Sequence, residues 1–116
     1  MKFFAVLTIS ASLLFVGCSS EVPDCNDSET KDLVLEITYD ELIDRFGPEL
    51  ANITELSLEA VRTTDTNKRT GNHSCAADLR IKQDSHLRKQ NSTAPITYTV
   101  ELANDGDDFY VTVYGL

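Results

Sequence analysis

From residue 33 onward the apolar positions first recur at three- and four-residue spacings and then, from residue 56, at every second position. Leu33, Val34, Ile37, Leu42, Ile43 and Phe46 keep the first rhythm, that of one buried helix face. Asn26 with Glu29 three residues later has capping-box spacing, and Asp27, Glu29 and Asp32 place negative charge at the positive end of the helix dipole. Gly47-Pro48 stops the run, because the Gly permits a left-handed cap and the Pro cannot continue a helix. A helix over 27–46 is predicted.

The second rhythm predicts four strands. Leu56, Leu58 and Ala60 mark the first, with a slip of alternation at Val61-Arg62-Thr63 that indicates a bulge. Thr64 to Asn72 is a polar loop. Cys75, Ala77, Leu79 and Ile81 line one face of the second strand, with Asp78, Arg80 and Lys82 on the other. A polar excursion is expected from Gln83 to Ala94. Ile96, Tyr98, Val100 and Leu102 form the third strand, a turn through Asn104-Asp105-Gly106-Asp107 follows, and Phe109, Val111 and Val113 form the fourth. Short connections between successive strands imply an antiparallel meander whose apolar face needs a cover. The fold class is therefore α+β, one N-terminal amphipathic helix on a four-stranded antiparallel sheet. It is similar in shape to cystatin-like domains, a likeness that carries no function.

The first residues are of another kind. Met1-Lys2 is followed by an apolar run from Phe3 to Val16, too short for a spanning helix and ending in small residues, as in a secretory signal. Phe15-Val16-Gly17-Cys18 resembles the lipobox of bacterial lipoproteins, with Phe15 where Leu is usual. The resemblance covers the first twenty residues. It implies cleavage after Gly17, diacylglycerol on the sulfur of Cys18 and acylation of the new amino group, palmitate being a typical chain. Two or three acyl chains give lasting attachment where one is marginal. The division expected is 1–17 signal peptide, 18–26 lipidated Cys and tether, and 27–116 a single domain. Ser19 after the lipidated Cys is similar to the outer-membrane class if the host is Gram-negative.

Three Cys are awkward in an exported chain, but lipid on Cys18 leaves Cys25 and Cys75 to pair in an oxidising compartment. Neither stands in a metal-ligand spacing with His73 or His86. A structural disulfide between Cys25 and Cys75 would staple the helix to the second strand. Processing also changes the charge: removal of 1–17 takes Lys2 from the 10 Lys+Arg and nothing from the 19 Asp+Glu, so the net passes from -9 to -10. That surplus argues against a nucleic-acid partner, whose phosphates are met by clustered Lys and Arg.

Candidate chemistry is sparse. Asn104-Asp105-Gly106-Asp107-Asp108 has the oxygens for calcium but not the twelve-residue loop of an EF-hand, and a hairpin turn needs the same letters. His73 and His86 have no Ser or Cys nucleophile in a recognisable setting. No catalytic residue, metal ligand or cofactor is therefore assigned, and the chain is read as non-enzymatic. Asn26, Asn52, Asn72 and Asn91 begin Asn-x-Ser/Thr triplets, glycan acceptors in a eukaryotic secreted protein and by-products of composition in a bacterial lipoprotein. Arg62-Thr63-Thr64-Asp65 faces Asn72-His73-Ser74 across the first hairpin, either as a recognition edge or as cross-strand hydrogen bonding. Tyr110 and Tyr114 fall on the face opposite Phe109, Val111 and Val113, where tyrosines offer contact area at low entropic cost. The possible binding surface is thus Arg62, Thr63, His73, Tyr110 and Tyr114. Two functions fit: a module binding an envelope protein (exclusion, immunity or assembly type), or an acidic inhibitor of a cationic exported enzyme such as lysozyme, steered by charge.

Overall fold

The computed structural model describes residues 22–87, 89–103 and 108–116. The signal, Cys18 and the turn at 104–107 lie outside the described residues. The element order is α1 (Ser28–Phe46), α2 (Pro48–Asn52), β1 (Thr54–Thr66), β2 (His73–Asp84), β3 (Lys89–Leu102) and β4 (Phe109–Tyr114). The strands form one antiparallel sheet in the order β1-β2-β3-β4. A helix packed on a four-stranded antiparallel sheet makes the fold α+β.

The helix starts one residue later than the capping box implies. Asp27 N–H donates to the Asp24 carbonyl and closes a turn through Asn26, so Asp27 becomes the cap and accepts from Glu29 N–H at 3.0 Å. Its far end is as expected: Gly47, at φ 91°, donates to the Ile43 carbonyl, and Pro48 begins α2. The buried stripe differs from the expected one. Thr30, Val34 and Thr38, four residues apart, are the buried side chains of α1, whereas Phe46 is 62% exposed. Thr hydroxyls conceal this stripe from a hydrophobic count. The Thr38 hydroxyl meets its own helix, donating to the Val34 carbonyl at 2.8 Å, while Thr30 Oγ1 has no partner among the described residues.

The sheet face under α1 carries the core: Cys75, Ala77 and Leu79 from β2, and Ile96, Tyr98 and Val100 from β3. Val34 and Cys25 close it from the helix side, with Leu56, Leu58, Val111 and Val113 packed around it. Cys25 and Cys75 form a disulfide across a sequence separation of 50. Tyr98, fully buried, donates its hydroxyl to the Cys25 carbonyl at 2.9 Å. Burial pushes its phenol up from the usual tyrosine range.

Two strand details correct the sequence reading. Ala60, expected in line with Leu56 and Leu58, is exposed at a positive φ of 53°. The β1–β2 register shifts between Glu59 and Arg62 and again between Thr63 and Asp65, so Val61 rather than Ala60 reaches the core. The polar excursion from Gln83 to Ala94 is largely strand: β2 and β3 pair without a break from Asp84↔Lys89 to His73↔Val100. On the covered side of this arm Gln83 is buried and donates its side-chain amide to the Thr54 hydroxyl at 3.3 Å, a polar pair that interrupts the apolar alternation.

Candidate functional site

Strand pairing decides which candidate residues share a face, because residues directly opposite in an antiparallel pair point the same way. Cys75, Tyr98 and Val113 are cross-strand partners on the helix-covered face. Arg62↔Ala76, Ala76↔Thr97 and Thr97↔Tyr114 make one row on the bare face. Glu101↔Tyr110 and Thr99↔Thr112 make neighbouring rows. Arg62 thus closes one end of a row that Tyr114 closes at the other.

Thr63 and His73 belong to the other side. Thr63 pairs with Cys75 and His73 with Val100, both partners in the core. The bulge between Glu59 and Arg62 sets this phase, and the chain then sends Arg62 and Thr63 to opposite faces. His73 Nδ1 lies 2.9 Å from Thr66 Oγ1, and its Nε2 is 3.7 Å from Asp24 Oδ1, at the residue before the disulfide. In this geometry its ring lies between the segment entering α1 and the β1–β2 hairpin. Thr64 Oγ1, donating to the Ser74 carbonyl at 3.1 Å, braces the same hairpin. The five candidates therefore divide into Arg62, Tyr110 and Tyr114 on the bare face, and Thr63 and His73 at the rim of the covered one.

On the bare face Tyr110 is 62% and Tyr114 53% exposed. Between and beside them stand Thr97, Thr99 and Thr112, short side chains that leave the rings standing above the sheet. Farther toward β1 the face becomes charged, with Arg80 Nη1 bonded to both oxygens of Glu59 at 3.1 and 3.0 Å. Among the described residues no group of three His, Cys, Asp or Glu side chains is placed to hold a metal ion. His86 is exposed in the β2–β3 turn. What the face offers chemically is contact and hydrogen bonding.

The sequence pattern did not reveal a concavity on the helix side of the sheet. An apolar cavity of about 180 Å³ opens between the C-terminal half of α1 and the sheet, lined by Leu42, Phe46, Leu56, Ile81 and Ile96, with Arg45 at its rim. The exposure of Phe46 marks its mouth, and a helix-period count assigns that residue to the core. Arg45 is engaged there, through Nε to Glu41 at 2.7 Å and through Nη2 to the Leu116 carbonyl at 3.2 Å. Among the described residues no helix is long and apolar enough to cross a membrane. No protein-family model, no curated protein and no solved structure matches the chain.

Proposed function

We propose that this chain is a bacterial cell-envelope lipoprotein, anchored through lipid on Cys18, whose domain binds another envelope protein without catalysing a reaction. The observation that carries the binding role is the pair Tyr110 and Tyr114, more than half exposed on a sheet face that no element of the described chain covers. Aromatic side chains that stand rigidly on a strand supply most of the energy of protein contacts for little lost entropy. The address rests on Phe15-Val16-Gly17-Cys18, with Ser19 favouring the outer membrane in a Gram-negative host. Six residues separate Cys18 from Cys25 and span roughly 20 Å at most. The disulfided end of the domain therefore stays close to the bilayer.

The test is site-specific photo-cross-linking of the full-length protein in its own envelope. A photoreactive residue at Tyr110 or Tyr114 is expected to trap one defined envelope protein, and the same residue at Glu36 on α1 is not. Equal adducts from all three positions, or none from the tyrosine positions, would remove the binding face from the account.

A second reading is favoured by charge. With 19 Asp+Glu against 10 Lys+Arg before processing, the domain would steer a cationic exported enzyme such as a lysozyme toward itself. Inhibition of lysozyme that is present at low salt and fades at high salt would select this reading over the first.

A further inference from the structure

We infer that the groove beside Phe46, at the end of the sheet away from the disulfide, is a binding site for an uncharged sugar ring of a cell-wall glycan. A concavity of about 400 Å³ opens there between the end of α1, α2 and the β2–β3 arm. Small-ligand sites occupy about 300–1,000 Å³, so this groove reaches the range that the smaller apolar cavity sharing Phe46 does not. Gln83, in its wall, lies eight positions along β2 from Cys75, roughly 26 Å.

The lining has two parts. Leu42, Leu50 and Ile81 supply an apolar floor, and Phe46 stands beside it, more than half exposed. Gln83, Gln90 and Ser92 supply the polar part. Gln83 and Gln90 are cross-strand partners and Ser92 is the partner of Ile81, so both amides and the hydroxyl stand on one face of the sheet. Gln83 is buried and held by its bond to the Thr54 hydroxyl, while Gln90 and Ser92 are exposed. Among the described residues no charged side chain lines this groove, in a chain with 10 Lys+Arg and 19 Asp+Glu.

That composition selects the ligand. Amides and hydroxyls both donate and accept, which matches a molecule whose polar groups do the same and carry no charge. The electron-rich face of an aromatic ring meets the weakly positive C–H groups on the flat of a pyranose. A peptide is also neutral and carries both kinds of group, but peptides join sheets by main-chain pairing at a free edge. β2 and β3 are the inner strands, and their mutual pairing is unbroken at this groove. A sugar ring needs no open backbone. Its source in a bacterial wall rests on the envelope reading above, whereas the chemistry of the groove does not.

The full-length gene product, solubilised in a detergent without sugar groups, is titrated with tetra-N-acetylglucosamine in a calorimeter. Saturable binding with a dissociation constant of about 1 mM or tighter is expected. Phe46→Ala and Gln90→Ala should each weaken it about tenfold, and Leu87→Ala, which removes a 97% exposed apolar side chain outside the groove, should leave it unchanged. Gln90 is exposed on the sheet, so its variant reads the site even where Phe46→Ala misfolds. No saturable binding, binding that both variants leave intact, or equal binding of tetraalanine or tetragalacturonate overturns the inference. Isolated bacterial wall is expected to cosediment the protein and the tetrasaccharide to release it, and no retention on the wall overturns the assigned source. Mass spectrometry of the same sample reads Cys18 separately. A free thiol in a chain that binds the sugar removes the anchor and leaves the site, whereas a lipidated chain that binds no sugar removes the site and leaves the anchor.

Discussion

Removing the Cys25–Cys75 bridge, as the double variant Cys25→Ala/Cys75→Ala, measures how far the fold depends on a covalent link between the segment preceding α1 and β2. The sulfurs close a loop with a sequence separation of 50. In the chain-entropy model such a loop restricts the unfolded chain by about 14 cal/mol/K, or about 4 kcal/mol at room temperature. Both cysteines are 1% exposed and belong to the core cluster, so Ala at both also leaves a small void that deepens the loss. Domains of this size are stable by only about 5–15 kcal/mol, so much of the margin goes with the bridge. The assay is urea unfolding followed by far-ultraviolet circular dichroism. The expected result is a loss of about 4 kcal/mol with a steeper denaturant dependence, since an unlinked chain exposes more surface on unfolding. A loss below about 1 kcal/mol would refute the reasoning and place the stability in the sheet alone.

Tyr98 gives two further predictions. Tyr98→Phe leaves the Cys25 carbonyl without its partner and should cost about 1–3 kcal/mol in the same unfolding assay, and an unchanged midpoint would mean that the bond is not made in solution. Because burial raises its phenol above the unfolded value near 10, the neutral ring's contribution is complete below that pH and is lost as pH rises toward the folded value. Stability should fall above pH 10 in the unsubstituted protein more steeply than in Tyr98→Phe. Thr30→Val keeps the side chain's shape and removes a buried hydroxyl without a partner, so it should stabilise by about 1 kcal/mol, and a destabilisation of that size would reveal a hidden partner. Ala60→Gly relieves the left-handed backbone at the bulge and should stabilise by up to about 1 kcal/mol, whereas a clear loss would argue against the positive φ.

How much of this was legible in the chain depended on whether each face had one neighbour or two. β2 lies under α1 on one side and toward solvent on the other, and its alternation from Cys75 to Ile81 was correspondingly clear. At the far end of β2 a buried Gln83 bonded to Thr54 takes the place of an apolar residue, and the stretch from Gln83 to Ala94 is polar apart from Leu87 and Ala94, so its pairing was silent in the pattern. On α1 the reverse happened. Thr30 and Thr38 fall outside an apolar count although they pack inside, and Phe46 was placed on the buried face although it stands at the rim of a cavity. The cap moved from Asn26 to Asp27 because a carbonyl two residues before Asn26, at Asp24, captured the next free N–H, a contact no spacing rule encodes. At the candidate site the exposed pair Tyr110 and Tyr114 followed from period two alone. The division of Arg62 from Thr63 and His73 did not, because the phase of β1 is set by a bulge whose residue count is read only from its partner strand.

The proposed address and tether both begin at Cys18, and mass spectrometry of the amino-terminal peptide of the full-length gene product, recovered from its native envelope, tests them most directly. The account predicts a chain that starts at Cys18 with diacylglycerol on its sulfur. A chain that starts elsewhere, or a Cys18 thiol free of lipid, would contradict it.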